Sequence, residues 1–350
     1  MTLRVGVLTG GGDAPGLNAA ICGLGRRLVA AQAELIGFLD GWRGLIADRS
    51  RSLQDVNYQH LLVYGGTLLG SSGDNPYRNA AADVPKVLAT VARHRLDALV
   101  AIGGEGTLGA ADRLFTEHQV PVVGVPKTID NDLDATDFTF GFFSAVEVAT
   151  RAMDDLRSTA ESHGRVMVVE CMGRHAGWIT AYAGVAAGAE AVLVPERPVQ
   201  LEELCQNLAR LRQSGARSAI VAVAEGTRVF ESGACLSSME KDEFGEYRTG
   251  GVAQTIARRI QAGLAWEARH LVLGHLQRAG RPIAFDRIFA LRLGARAARL
   301  VLERRFGYMA AMRAGEIVEV PLRAAVAARK TLSDNFLDRY ESFFMPIGGP

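Results

Sequence analysis

Six apolar, largely β-branched runs recur along the chain: LRVGVLTGGG, LDALVAIGGEG, VPVVGVPKT, RVMVVECMG, SAIVAVAEG and HLVLGHLQR. Several end in glycine. Between them lie longer stretches with apolar residues at helical spacing, such as APGLNAAICGLGRRLVAA and VPKVLATVARHRL. Continuous apolar runs alternating with helices predict strands buried on both faces, as in a doubly wound, mainly parallel α/β sheet. Residues 231–250 are polar and punctuated by glycine, which predicts an excursion from the packed core. The terminal FFMPIGGP carries enough apolar surface to dock.

Composition narrows the function classes. With 350 residues, 48% of them apolar, the chain can form two domains or one large one. A net charge of +1 argues against binding nucleic acid by bulk electrostatics, so any anion site must come from local clusters. MTLRVGVLTG has neither the basic segment nor the long apolar stretch of a signal peptide. No apolar run is long enough to predict a membrane span. The four cysteines lack C-x-x-C spacing, so they suggest neither a disulfide framework nor a zinc site. A cytoplasmic protein in a reducing compartment is expected.

Ligands of open α/β sheets bind beyond the carboxyl ends of strands, and three motifs sit there. TGGGDAPGLNAAI (9–21) turns from strand to helix, exposing N–H groups and a helix N-terminus to an anion. It is neither a Walker A loop nor a clean G-x-G-x-x-G, and a tight turn explains the glycines alone equally well. IGGEGTLGAADRL (102–114) repeats the layout. Two such turns on adjacent strands would suit a polyphosphate, and Glu105 beside them implies Mg²⁺ between carboxylate and phosphate. Alone, GGEGT fits NAD and lipid kinases as well. The third motif, GVPKTIDND (124–132), joins a lysine to two aspartates. In an extended TIDND, Thr128, Asp130 and Asp132 would share one side. One carboxylate could then act as general base while the other helps hold Mg²⁺ through water. A capping Asp and a loop turn are the commoner fate of such a sequence.

Together with VVECMGR (168–174), AVAEG (222–226) and GHLQRAG (274–280), these motifs occur in the order and approximate spacing of the 6-phosphofructokinase family. The chain resembles that family over residues 5–298. The resemblance implies two Rossmann-like lobes of mainly parallel sheets sandwiched by helices, with the active site in the cleft between them. It places a donor-binding lobe at residues 1–140 plus 279–327 and a smaller sugar-phosphate lobe at 141–278 plus 328–350. It implies phosphoryl transfer to the C1 hydroxyl of fructose 6-phosphate, with Asp130 as general base and Thr128, Lys127 and Arg174 beside it. Donor contacts fall on Gly11, Gly12, Gly73, Asp74, Gly104, Glu105, Gly106 and Thr107, and Mg²⁺ on Glu105 and Asp132. Sugar-phosphate contacts fall on Thr128, Ile129, Asp130, Met172, Gly173, Arg174, Glu225, His275, Leu276, Gln277 and Arg278. Arg165 and Arg269 match arginines contributed by a neighbouring subunit, which implies a homodimer or homotetramer. Arginine suits such sites because its planar fork matches phosphate oxygens.

Family members using ATP usually have glycine at Gly106, where pyrophosphate users tend to have an aspartate that would crowd and repel an α-phosphate. Lys127 is the residue typical of pyrophosphate users. The mixture resembles the mixed-substrate bacterial subgroup, and Gly106 makes ATP the expected donor, with pyrophosphate the alternative. A relative with another sugar-phosphate acceptor, or a regulatory subunit without catalysis, stays open. Gly73 stands where the family usually has an arginine on the donor phosphates, and Lys127 and Arg78 are candidates to replace it. Cys22 and Asp55 stand where regulated members have effector arginines, although Arg26 and Arg157 remain. Weak responses to ADP and phosphoenolpyruvate are therefore expected.

Overall fold

A computed structural model describes residues 2–236 and 250–344. Most of the expected polar excursion, and the last six residues of FFMPIGGP, lie outside the described residues. Each of the six apolar runs forms a strand. In chain order the strands are β1 (Arg4–Thr9), β2 (Glu34–Phe38), β3 (Ser50–Ser52), β4 (Ala98–Gly103), β5 (Val122–Pro126), β6 (Val166–Cys171) and β7 (Ala191–Leu193). There follow β8 (Val199–Gln200), β9 (Ala219–Ala224), β10 (Val229–Glu231), β11 (Ala234–Cys235), β12 (Ala268–Val272), β13 (Tyr308–Arg313) and β14 (Glu316–Pro321). The helical stretches become Leu17–Ala30 and Ala80–Arg93.

The chain divides into two units. The first comprises Met1–Ile129, Leu133–Ser144 and Arg278–Arg329; the second comprises Asp130–Asp132, Ala145–Gln277 and Lys330–Pro350. The described residues of the first unit form a seven-stranded sheet ordered β14-β13-β5-β4-β1-β2-β3. Its five inner strands are parallel, and the strands at both edges run antiparallel. Residues β4 and β5 contribute are buried on both faces, which is why these runs read as apolar rather than alternating. One face packs Val5, Val7, Val100, Ile102 and Val123 against the helices Leu17–Ala30 and Ala284–Leu302. The other packs Leu8, Leu99, Ala101 and Val122 against the helix Glu105–His118. Gly23 and Gly294 let the first pair of helices approach closely: a Cβ on either would lie 2.1 Å from a backbone oxygen of the opposite helix.

Asp286 anchors the chain that leaves the TIDND region within this unit. It is fully buried, and its carboxylate accepts hydrogen bonds from Gly141 N (3.0 Å), Ser144 N (2.7 Å) and Ser144 Oγ (2.6 Å). Burial pushes its carboxyl pKa up. Asp286→Asn replaces one acceptor with a donor facing donors, so unfolding free energy should drop by about 1–3 kcal/mol. A carboxyl pKa raised in the folded state gives its stabilisation at low pH and loses it as pH rises through that pKa. The wild-type advantage should accordingly narrow as pH rises, and urea melts of both proteins across pH would check both statements.

In the second unit a four-stranded sheet, ordered β12-β6-β9-β7, is parallel throughout the described residues. β6 and β9 are wholly buried. The run HLVLGHLQR departs from expectation. β12 pairs with β6 on one side only, and Arg269 to Val272 are exposed. As an edge strand it has no second neighbour among the described residues to cover it. A cavity of about 290 Å³, lined partly by β7, Leu204, Leu208, Phe343 and Phe344, contains none of the expected site residues. Among the described residues no helix is long and apolar enough to cross a membrane.

Candidate active site

In the first unit the chain passes from β1 to β2 on one side and later enters β4 on the other, so the carboxyl ends of β1 and β4 form a topological switch point. Both glycine-rich turns lie there. Gly10 N donates to Ile102 O (2.9 Å), joining them. The glycines serve different purposes. A Cβ on Gly10 would stand 2.6 Å from Thr107 Oγ1, and one on Gly103 2.4 Å from Thr107 Cβ. Thr107 is buried at that convergence, so those two glycines accommodate packing. Gly73 and Gly106 do not: a Cβ on either meets no atom within 4 Å, and neither backbone is left-handed. Gly109, one turn further along the helix, is open in the same way. Sequence reasoning missed it, although the i, i+3 spacing from Gly106 was visible.

The loop carrying Gly73 is fixed to this helix by Asn75 Nδ2, which donates to Gly106 O (3.2 Å). Asp74 accepts from Arg43 Nε (2.8 Å). Gly104 precedes the helix Glu105–His118, whose first turn carries Glu105 half-exposed and paired with Arg329 Nη2 at 2.8 Å.

Two cations converge on the first glycine turn. Lys127 is buried to 3% exposure, and its Nζ donates to Gly12 O. Arg278 Nη1 donates to Asp13 O at 3.1 Å and lies 2.0 Å from where a Cβ on Gly12 would be. Gly12 thus makes room for a guanidinium. Gly11, with φ +80°, would bring a Cβ within 3.2 Å of Lys127 Nζ. Concentrated positive charge at backbone turns is the chemistry of an anion site, and it arises here in a chain that is almost neutral overall.

TIDND is not extended. Ile129 and Asp130 form a bend, and Asn131 is left-handed with φ +52°. The expected strand geometry therefore fails, because Asn tolerates the left-handed turn that ends the strand. The burial pattern nevertheless keeps a period of two: Ile129, Asn131 and Leu133 are buried, while Thr128, Asp130 and Asp132 are half-buried. Thr128 O accepts from Thr139 Oγ1 (2.7 Å) in the first unit. In the second unit Asn131 Oδ1 accepts from Lys330 Nζ (3.1 Å), and Asp132 O from Lys330 N (2.9 Å). Lys330 was not among the expected residues, since nothing local links positions about 200 apart.

The other candidate residues of the second unit follow its strand ends. Met172, Gly173 and Arg174 lie beyond β6, Glu225 beyond β9, and His275 in the turn Gly274–Gln277 beyond β12. Glu225 N donates to Cys171 O (2.9 Å), and its carboxylate accepts from Gly173 N (3.4 Å). His275 and Leu276 are exposed. Gln277 is fully buried, with Oε1 accepting from Met172 N (3.2 Å) and Nε2 donating to Gly274 O (3.1 Å). Its amide braces two turns. Glu170, also buried, accepts from Gly251 N and Ala253 N at the start of the helix Val252–Leu264, and burial raises its pKa. Arg165 and Arg269 meet on one carboxylate, Glu267, at 2.9 and 2.5 Å. The Arg165 hydrogen bond holds Glu267 below the usual carboxylate range. Sequence reasoning singled out neither Glu170 nor Glu267.

Among the described residues no three His, Cys, Asp or Glu side chains cluster as a metal site. A cation would need phosphate oxygens for most of its shell. That suits Mg²⁺, which commonly binds through one or two carboxylates plus substrate phosphates and water. Exposed Glu105 fits such a role.

Comparison with known proteins agrees with the motifs. The family described as Phosphofructokinase matches residues 4–301. The pyrophosphate–fructose 6-phosphate 1-phosphotransferase of Amycolatopsis methanolica is 49% identical over 344 residues, covering 98% of this chain and all of that protein. ATP-dependent 6-phosphofructokinase 3 of Streptomyces coelicolor is 46% identical, covering 95% of this chain and 97% of its own length. The solved structure of Pichia pastoris phosphofructokinase in the T-state is 30% identical with a TM-score of 0.80, and the match covers 93% of this chain and 36% of that one. With its glycine turns at a switch point and its length matched nearly throughout, this mixed α/β chain belongs to the phosphofructokinase family.

Proposed function

We propose that the protein transfers a phosphoryl group from ATP to the C1 hydroxyl of fructose 6-phosphate, giving fructose 1,6-bisphosphate. The observation that carries the choice of ATP is Gly106, whose missing side chain leaves open space that neither packing nor backbone conformation requires. The first unit binds the donor through the turns at Gly11, Gly12, Gly104 and Gly106. Lys127 offsets the charge of the transferring group. The second unit holds the sugar phosphate through Met172, Gly173, Arg174, Glu225 and His275, and Asp130 takes the hydroxyl proton. Glu105 and Asp132 would hold Mg²⁺, which lowers the negative charge of the donor phosphates. Gln277 acts through Met172.

Self-association belongs to this reading. β12 exposes Leu271 (37%) and Val272 (48%) along an open sheet edge, with Arg269 on the same strand. Apolar surface along an open sheet edge supports this reading. Arg165 and Arg269 would serve the neighbouring copy.

A second reading, with pyrophosphate as donor, is favoured by Lys127 and its placement under the glycine turn. The test is initial rates with fructose 6-phosphate, Mg²⁺ and either donor on one preparation. Turnover with ATP is expected. Turnover with pyrophosphate alone would replace the first reading with the second. Turnover with neither would favour another acceptor or a regulatory subunit.

A further inference from the structure

Gly73 lacks the donor-phosphate arginine usual in this family, which leaves open what supplies that charge. Lys127 acts from the first glycine turn, with its ammonium on Gly12 O. Another guanidinium lies at the second turn. Arg329 Nη2 sits 2.8 Å from Glu105 Oε2, one residue before the open position Gly106. Its backbone is fixed, because Arg329 pairs with Leu133 in an antiparallel bridge and Leu133 is buried. Its side chain is accessible, at 37% exposure against 52% for Glu105. Exposed ion pairs of this kind are weak, so the guanidinium can leave the carboxylate for a better partner. A polyphosphate offers one, since arginine binds phosphate oxygens in a bidentate, charge-assisted way.

We propose that Arg329 is the donor-phosphate arginine of this chain and substitutes for the side chain absent at Gly73. Without ligand it neutralises Glu105. With a magnesium polyphosphate bound, Glu105 is given over to the cation and Arg329 turns to the phosphate oxygens. The two residues thereby exchange partners. The inference rests on the proposed reading of the first unit as the donor-binding one.

The test is calorimetric binding of magnesium pyrophosphate, the chemistry it shares with the terminal phosphates of ATP, to wild type, Arg329→Ala and Arg329→Ala/Gly73→Arg. Fructose 6-phosphate binding serves as the measure of an intact fold. Arg329→Ala should weaken pyrophosphate binding by about tenfold or more, the scale of a lost charge-assisted contact, and leave sugar-phosphate binding unchanged. Gly73→Arg should restore it, because a side chain there meets no atom near its Cβ. Unchanged or tighter pyrophosphate binding in Arg329→Ala would overturn the proposal; tighter binding would mean that Arg329 only competes for Glu105. Should the wild type transfer phosphate from neither donor, the catalytic reading fails while this binding comparison still decides the role of Arg329.

Discussion

Asp130→Asn is expected to lower kcat for fructose 6-phosphate phosphorylation by about 10²–10⁴-fold, the usual contribution of a general base. The amide keeps the shape of the side chain but cannot accept the hydroxyl proton. The corner around it has its own anchors: Asn131 and Asp132 O are tied to Lys330, and Leu133 pairs with Arg329. The variant should therefore fold and bind fructose 6-phosphate within a few-fold of wild type. A large fall in kcat with KM nearly unchanged identifies a group needed in the transition state rather than for binding. A variant that keeps kcat within a few-fold would remove Asp130 from the mechanism.

Gly106→Asp should separate the two donors. The new carboxylate would extend into open space at the first turn of the helix Glu105–His118, where nothing lies within 4 Å of its Cβ. Acidic residues are tolerated at a helix N-terminus, so the fold should survive. Against a nucleotide, however, the carboxylate would face phosphate charge; two unit charges 4 Å apart repel by about 4 kcal/mol at an effective dielectric of about 20. Even half of that lowers kcat/KM for ATP by about 30-fold, since about 1.4 kcal/mol is a factor of ten. Pyrophosphate, which has no α-phosphate to repel, should lose far less. Measuring kcat/KM for both donors before and after the change decides the matter. Equal losses would mean that the open space at Gly106 does not distinguish a nucleotide.

The curated relatives leave the same question at the donor, because similar proteins carry both names: one uses pyrophosphate and another ATP, at 49% and 46% identity. Identity over the whole chain does not settle it. The proposed reading places the choice at Gly106 and Lys127, and the donor comparison above tests it.

The strands were legible because β4, β5, β6 and β9 are buried on both faces, and such burial leaves an uninterrupted apolar run in the sequence. β12 carried the same signal and lies exposed at a sheet edge, because an apolar run records a need for cover without saying what provides it. The alternation of TIDND survived as alternating burial even though the backbone bends, since the buried partners Ile129, Asn131 and Leu133 are set by what packs around them. The glycine turns were legible too, but not the division of labour among the glycines. Only neighbours distant in sequence make Gly10 and Gly103 serve Thr107 and leave Gly73, Gly106 and Gly109 open.

By itself the sequence determined the α/β class and the family, because each is written in short contiguous patterns. Tertiary structure alone brought Arg278 and Lys127 to the first glycine turn, Arg329 to Glu105, and Lys330 to Asn131. Those pairings join residues more than 100 positions apart in the chain. Such contacts act through space, and no local pattern records them.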